Sequence, residues 1–197
     1  MIFGFYKLKV LEVLNGLSES GQFRNFFDIG AADGYYGVDV LIKGLFENPY
    51  CFEISASGQK AIGKTAQLNG MAERVTVFGK AEEDFYRKFE PELFSSSVIL
   101  MDIEGGEFDL LNASVFRAFQ KSALIVEIHE WADPTGEKIE KLRKDAEEFF
   151  TISDVRTSAR DLSKYPELHQ YIDNDRWLLC SESRGSLGRW FVLNPNS

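Results

Sequence analysis

Residues 26–37 read F-F-D-I-G-A-A-D-G-Y-Y-G, an apolar run that leads through a glycine-rich turn into a helical pattern. Asp28 stands near the end of the apolar run, and Gly30 and Gly34 permit sharp turning of the backbone and close approach of a ligand. Gly37 leaves room for the new helix to pack against the strand. A strand, a glycine turn and a helix in this order are typical of a nucleotide-binding α/β protein.

The spacing of these glycines distinguishes between classes of ligand. It gives G-x-x-x-G-x-x-G, whereas proteins that bind a dinucleotide carry G-x-G-x-x-G and hold the pyrophosphate on the helix N-terminus. The spacing therefore favours a pocket for S-adenosyl-L-methionine. An NAD-dependent oxidoreductase is the less favoured alternative.

The composition limits the class of protein. The chain has 197 residues, of which 44% are hydrophobic, and this suits one globular domain. Its formal net charge of -9 argues against a general nucleic-acid or anionic-membrane binder, because phosphate binding depends on clustered Lys and Arg. Two cysteines, Cys51 and Cys180, are too few for a disulfide framework, so we expect a cytoplasmic protein. Lys7, Lys9 and Glu12 interrupt the first apolar stretch, which excludes a signal sequence or a membrane span there.

Five short apolar runs recur at nearly even intervals and indicate the fold. Each interval has room for a strand, a helix and two short loops, and runs that are apolar throughout suit strands covered on both faces. The pattern predicts an α/β fold with a doubly wound, mostly parallel sheet. The runs begin near Phe26, Tyr50, Val75, Val98 and Ala123, further strands are expected at 150–155 and 189–193, and helices are expected at 38–45, 108–119 and 138–148.

We expect a single domain with four parts. They are an N-terminal amphipathic helix in 1–24, a cofactor-binding core in 25–155, an acceptor lid in 156–188, and a final strand and tail in 189–197. The lid is inferred because a long segment without apolar periodicity is uncommon in a compact domain unless it is functional. The equal alternative is a surface excursion with a short helix around 167–172.

Acidic residues lie at or after the ends of the first three apolar runs. Glu53 closes the run C-F-E, where nucleotide-binding folds place a carboxylate that accepts hydrogen bonds from both ribose hydroxyls. Asp28 is expected to orient the glycine turn or to meet the amino group of a methionine-like ligand. Glu82 and Glu83 could accept a hydrogen bond from an adenine amino group, or could serve only as favourable acids at a helix start.

The stretch 101–111, M-D-I-E-G-G-E-F-D-L-L, is the second strong signal. Asp102 and Glu104 are expected at the carboxyl end of a central strand, the edge at which open α/β sheets bind ligands. Their mutual repulsion would raise at least one pKa unless a cation offset it, which favours a functional site. Glu107 is expected to be only a capping acid at a helix start.

The stretch 123–131, A-L-I-V-E-I-H-E-W, supplies a candidate base. Glu127 and His129 are alternate residues, so their side chains share one face of a strand and could meet Asp102. His129 is a plausible general base for an acceptor hydroxyl, because its usual pKa near 6.5 is close to neutral pH. Glu127 and Asp102 could instead bind a divalent cation, but the spacing does not specify one, and a metal-free site is favoured.

These blocks taken together make residues 26–131 resemble the FkbM family of S-adenosylmethionine-dependent methyltransferases. The first block is shared by most class I methyltransferases, whereas D-I-E-G-G-E followed by V-E-I-H is more particular to the FkbM group. The resemblance implies a seven-stranded, Rossmann-like sheet with its last strand antiparallel. It also implies methyl transfer to a hydroxyl oxygen. The acceptor is expected to be a sugar, polyketide or other small molecule or glycan, and the acidic charge of the chain argues against a nucleic-acid partner.

The residues and the resemblance together predict the site. The predicted cofactor-binding residues are Asp28, Gly30, Ala31, Gly34, Tyr36, Glu53, Ile54, Ala81, Glu82 and Asp102, and the predicted catalytic residues are Asp102, Glu104, Glu127 and His129. Lys80 stands where related methyltransferases often carry Asp, so the adenine contact is expected to pass to Glu82 or to the backbone. The alternatives are a cofactor-binding module without catalysis and a protein or nucleic-acid N-methyltransferase. The latter is disfavoured because the fourth run ends in D-I-E-G and not in Asn/Asp-Pro-Pro-aromatic.

Overall fold

A computed structural model describes residues 7–157, 161–181 and 185–196 of the chain. The strands are β1 (Asn25–Ile29), β2 (Asn48–Phe52), β3 (Thr76–Phe78), β4 (Ser97–Met101), β5 (Ala123–Glu127), β6 (Phe150–Arg156) and β7 (Arg189–Pro195). The α-helices are α1 (Leu8–Glu19), α2 (Tyr35–Ile42), α3 (Ala56–Leu68), α4 (Glu107–Leu110), α5 (Ala113–Ala118), α6 (Glu137–Glu147) and α7 (Asp173–Leu179).

The strands form one sheet in the order β3-β2-β1-β4-β5-β7-β6. Strands β1 to β5 pair in parallel, and β7 is antiparallel to both of its neighbours, β5 and β6. The predicted seven-stranded, mostly parallel sheet with an antiparallel last strand is confirmed. The order reverses between β1 and β4, and such a switch point opens a crevice at the carboxyl ends of the strands.

Both faces of the sheet are covered, which explains why the strands are apolar throughout. Successive side chains alternate between faces, so Phe27 and Ile29 of β1 join a core with α5 and α6, whereas Phe26 joins a core with α1 and α2. The interior strands β1, β4 and β5 are buried at every position. The sheet therefore gives its carboxyl edge a rigid base.

The single helix predicted over 108–119 is wrong, because Asn112 divides it. The side-chain oxygen of Asn112 accepts hydrogen bonds from the backbone N–H groups of Ser114, at 3.0 Å, and Val115, at 3.2 Å, and so caps α5. Leu111, between the two helices, is extended. Asparagine favours such caps over helix interiors, and the apolar periodicity continues across the break without revealing it.

The segment 156–188 is described only in part, because 158–160 and 182–184 lie outside the described residues. The short helix expected around 167–172 is instead a 3-10 turn, Pro166–Leu168, followed by α7. Leu168 and Cys180 are buried and form a small apolar cluster of their own. Within the described ranges, every helix is too short or too polar to cross a membrane.

Candidate active site

A cavity of about 620 Å³ opens at the carboxyl ends of β1, β2 and β4. This volume is within the usual range for small-molecule and cofactor sites, about 300–1,000 Å³. Among the predicted cofactor-binding residues, those that line it are Gly30, Glu53, Ile54, Ala81, Glu82 and Asp102. The others, Asp28, Ala31, Gly34 and Tyr36, do not belong to its lining.

Gly30 lets the ends of β1 and β4 close together. Its φ is 91°, and an added Cβ atom would lie 2.0 Å from the backbone oxygen of Asp102. Its N–H donates to the carbonyl of Phe52 at the end of β2, at 2.9 Å. A side chain at this position would therefore separate the strand ends that form the cavity wall.

Asp28 and Tyr36 lie beneath the turn and not on the cavity surface. The Asp28 carboxylate accepts a hydrogen bond from the Gly37 N–H at 3.0 Å, which ties β1 to the start of α2. Burial raises the pKa of Asp28 to about 7, although the bond from Gly37 opposes this, and the charge of Asp102 raises it further. Tyr36 packs in the core beside α1. Both residues therefore pack beneath the glycine turn and hold it in position.

Glu53 bridges two loops at one end of the cavity. Its Oε2 accepts from the Ala32 N–H at 3.0 Å and its Oε1 from the Ser55 N–H at 2.8 Å. Each carboxylate oxygen can accept more than one hydrogen bond, so both retain capacity for a ligand hydroxyl. The contacts hold the carboxylate in place before any ligand arrives.

Lys7 is bonded to two of the predicted site residues, although sequence reasoning did not select it. Its ammonium group donates to Asp102 Oδ2 and to Glu127 Oε2, the latter at 2.9 Å, and lies 4.9 Å from the centre of the Trp190 ring. The side chains of Lys7 and Glu127 are each only 4% exposed. Lys7 thus occupies the place between Asp102 and Glu127 where the sequence suggested a divalent cation as the less favoured alternative. In the sequence, the one indication of such a residue was that two neighbouring acids, Asp102 and Glu127, need a positive charge beside them.

Glu107 orients His129, so the interpretation of Glu107 as only a helix-start acid is wrong. Its Oε1 accepts from the His129 backbone N–H at 2.9 Å and lies 3.1 Å from Nδ1 of the ring, while its Oε2 accepts from the Gly105 N–H at 2.9 Å. Glu107 is fully buried. A buried carboxylate on one ring nitrogen fixes the tautomer and directs the other nitrogen, Nε2, away from it.

His129 Nε2 faces two carboxylates. It lies 3.6 Å from Asp102 Oδ1 and 3.5 Å from Glu104 Oε2, beyond good hydrogen-bonding distance. The three side chains place one ligand atom each within 4.8 Å of one another, a gap that a hydroxyl group or a small cation could enter. Of the predicted catalytic residues, Asp102, Glu104 and His129 thus surround one gap. Glu127 lies next to Asp102, and Lys7 is bonded to both.

Two ionisable groups of this cluster have displaced pKa values. Burial raises the pKa of Asp102 to about 6, although Lys7 opposes the rise. Burial alone would lower the pKa of His129, but the hydrogen bond and the charge of Glu107 outweigh it and raise the pKa above its usual value of 6.5. Displaced pKa values in a cleft are a mark of functional sites.

Backbone strain is concentrated around the same cavity. Lys7, Ala32 and Glu104 are the non-glycine residues of the described ranges with a left-handed backbone, with φ values of 51°, 50° and 53°. Each such residue costs about 1–2 kcal/mol. Ala32 and Glu104 line the cavity, and Lys7 contacts Asp102. Strain retained at one place is expected where geometry serves a function.

The cavity wall is strongly acidic. Its charged residues are Glu53, Glu82, Glu83, Asp102, Glu104 and Asp109 against Lys80. Lys80 is itself paired with Glu82 at 3.1 Å, and both side chains are exposed. Such a wall attracts a cation and repels phosphate groups.

No protein-family model matches the sequence, and no curated protein matches it either. Solved structures are similar in fold. The methyltransferase domain of bacterial CtHen1-C has a TM-score of 0.55 and 13% identity, covering 95% of this chain and 97% of that one. A precorrin-6y C5,15-methyltransferase from Geobacter metallireducens has a TM-score of 0.59 and 10% identity, covering 94% and 87%.

A third similar structure contains the cofactor. It is Sp1610 of Streptococcus pneumoniae in complex with S-adenosyl-L-methionine, a protein whose suggested activity is tRNA (m1A22) methylation. Its TM-score is 0.60 at 14% identity, over 94% of this chain and 73% of that one. These likenesses establish the fold, a Rossmann-like α/β sheet that the chain shares with these methyltransferase structures.

Proposed function

We propose that the protein is an S-adenosyl-L-methionine-dependent methyltransferase of the FkbM type that methylates a hydroxyl oxygen. One observation carries this proposal. A single cavity joins Glu53, at the end of β2, to Asp102, at the end of β4, and His129 stands beside Asp102. The blocks that are more particular to the FkbM group also meet in space, because Glu107 of the first contacts His129 of the second.

The cavity residues fit this cofactor. Gly30 has no side chain to obstruct the cavity wall. The Glu53 carboxylate could accept hydrogen bonds from two ribose hydroxyls. Ile54, Ala81 and Glu82 line the part of the cavity that we assign to adenine. When bound, the cofactor supplies the methyl group from its positively charged sulfonium. The acidic wall favours that positive charge.

The Asp102–His129 pair is suited to receive a hydroxyl proton. An acceptor hydroxyl in the gap between Asp102, Glu104 and His129 would be held in place, and its proton would pass to His129 Nε2 during or after transfer. Glu107 would stabilise the resulting imidazolium through Nδ1. In this mechanism the side chains supply positioning and proton transfer.

The acceptor is proposed to be a small molecule or glycan hydroxyl. The acidic wall supports an uncharged or cationic acceptor over a phosphate-rich one. The second candidate is N-methylation of tRNA, favoured by the activity suggested for Sp1610. Transfer of labelled methyl groups to sugar and polyketide hydroxyls but not to tRNA would support the first, and the reverse would support the second.

Two further expectations belong to this proposal. We infer that the segment 156–188 contributes to acceptor binding, because Trp177 and Leu178 of α7 expose apolar surface beside which an acceptor could pack. We also infer a cytoplasmic location, in keeping with a chain that has two cysteines, both of them buried.

Glu53→Ala is expected to weaken S-adenosylhomocysteine binding by about 1.5–3 kcal/mol, because hydrogen bonds to a charged group are lost. Calorimetry measures this, and NAD should not bind to the wild-type protein. Glu47→Ala is the matched control, since Glu47 is exposed and precedes β2 at the opposite edge of the sheet. Glu53→Ala also removes the bonds to Ala32 and Ser55. Thermal melting of both variants shows whether that loss lowers stability, apart from the loss of contacts with the ligand. Equal affinity in the two variants would remove Glu53 from the cofactor site.

The rate of methyl transfer is expected to rise with pH through a midpoint above 6.5. A base must be unprotonated, and the pKa of His129 is raised, so activity is lost as pH falls through that raised value. Because Asp102 lies 3.6 Å from His129, the midpoint of the pH–rate profile reports the titration of the two groups together. The measurement is kcat between about pH 5 and 9. As a control, a chelator should leave the rate unchanged. If a chelator abolished activity and Mg²⁺ or Mn²⁺ restored it, the step would be assigned to a cation.

A further inference from the structure

We propose that Lys7 is a positioning residue of the active site, whose buried ammonium supplies the fixed positive charge that keeps the Asp102–His129 pair unprotonated, and so available to receive the hydroxyl proton. The inference rests on the proposed methyl transfer for its activity readout. It concerns the start of the described chain, which is far in sequence from the motifs of the site.

Five side chains form a row in which three carboxylates alternate with Lys7 and His129. The order is Glu127, Lys7, Asp102, His129 and Glu107, with Lys7 bonded to both Glu127 and Asp102, and His129 between Asp102 and Glu107. Asp102 alone of the five lines the cavity. Lys7 therefore acts on the acceptor site through Asp102, and not by touching a ligand in the cavity.

The position of Lys7 is built to hold a cation. Its Nζ lies 4.9 Å from the Trp190 ring centre and 5.9 Å from that of Tyr36, so ring faces as well as carboxylates surround it. Burial alone would lower the pKa of Lys7, but Asp102 and Glu127 outweigh it and raise the pKa. The strained left-handed backbone of Lys7 is retained in spite of its cost. These observations indicate a permanent ammonium.

Several ionisable groups act on Asp102 from the elements around it. They are Lys7 before α1, Asp28 of β1, Tyr36 of α2, Glu127 of β5, and Glu104 and His129 of the flanking loops. Lys7 is the fixed cation of this group. Without it, Asp102 and Glu127 would lose the ammonium that is bonded to both, which is costly, and the Asp102–His129 pair would take up a proton. A proton on His129 fills the site that receives the hydroxyl proton, and a proton on Asp102 removes a negative charge that would stabilise the imidazolium.

The first test compares Lys7→Met with Lys9→Met. Lys9 is also near the start of α1, but its side chain is 41% exposed and pairs with Glu12. Lys7→Met should move the acid limb of the pH–rate profile to higher pH by about 1–3 units, the usual effect of a close opposite charge. Activity should recover at alkaline pH, and affinity for S-adenosylhomocysteine should stay within about twofold. Lys7→Arg should restore part of the lost activity, and Lys9→Met should change neither quantity.

The second test does not need activity. The chain has two histidines, so His169→Asn leaves His129 as the single imidazole for an NMR titration. In that background, Lys7→Met should raise the highest-pH transition sensed by the ring by about 1–3 units. A lower melting temperature with an unmoved transition would show a merely structural role and overturn the inference. A moved transition in a protein that transfers no methyl group would instead uphold the charge effect and reject the proposed function.

Discussion

Gly30→Val is expected to weaken binding of S-adenosylhomocysteine by at least about 10²-fold. The added Cβ would lie 2.0 Å from the Asp102 carbonyl oxygen and 3.0 Å from Cγ2 of Ile103, at a φ of 91° that valine resists. Overpacking and strained backbone each cost about 1–3 kcal/mol. A total of about 3 kcal/mol weakens binding by about 10²-fold. Because the clash is with backbone, it is relieved only by moving Asp102 itself.

Gly63→Val is the matched control for this change. Gly63 lies in α3, is exposed, and has open space where a Cβ would stand. Calorimetry and thermal melting on both variants should show a loss confined to Gly30→Val. Retained cofactor affinity in Gly30→Val would mean that the cofactor turn lies elsewhere in the chain.

His129→Ala is expected to lower methyl transfer by about 10²- to 10⁴-fold, the range for loss of a positioned proton acceptor. Cofactor affinity should hardly change, because His129 does not line the cavity and reaches it through Asp102 and Glu104. The variant also leaves buried Glu107 without its ring partner, so some loss of stability should accompany it.

His169→Ala provides the control, because His169 is the other histidine of the chain and is exposed. Because His169 lies in the segment inferred to bind the acceptor, the comparison is made at saturating acceptor, where the variant should keep wild-type turnover and wild-type melting. The measurement is single-turnover methyl transfer to the identified acceptor, at saturating cofactor. If His129→Ala kept full activity, proton transfer would have to be assigned to another group and catalysis to positioning alone.

The sheet could be predicted because its strands are covered on both faces. Burial of every position in β1, β4 and β5 appears in the sequence as unbroken apolar runs. The break at Asn112 could not be predicted from periodicity, because the apolar positions on either side keep helical spacing while the asparagine side chain competes for backbone N–H groups.

The candidate site could be predicted in part for a similar reason. Asp102, Glu104 and His129 follow apolar runs, and parallel strands bring their carboxyl ends to one edge. The partners of these residues could not be predicted. Glu107 meets His129 across 22 positions of sequence, and Lys7 approaches from outside the repeated pattern of strands and helices. Such contacts depend on packing between elements, which no local spacing records.

The bond between Lys7 and Asp102 joins residues 95 positions apart, and the bond to Glu127 spans 120 positions. Loop closure over such lengths costs entropy that is recovered only when distant contacts form, so these contacts tend to appear late in folding. The row of five side chains that includes Lys7 is thus complete only after α1 has packed against strands from the middle of the chain. In a refolding experiment, methyl transfer would return after the sheet itself, and its recovery would time the final docking step.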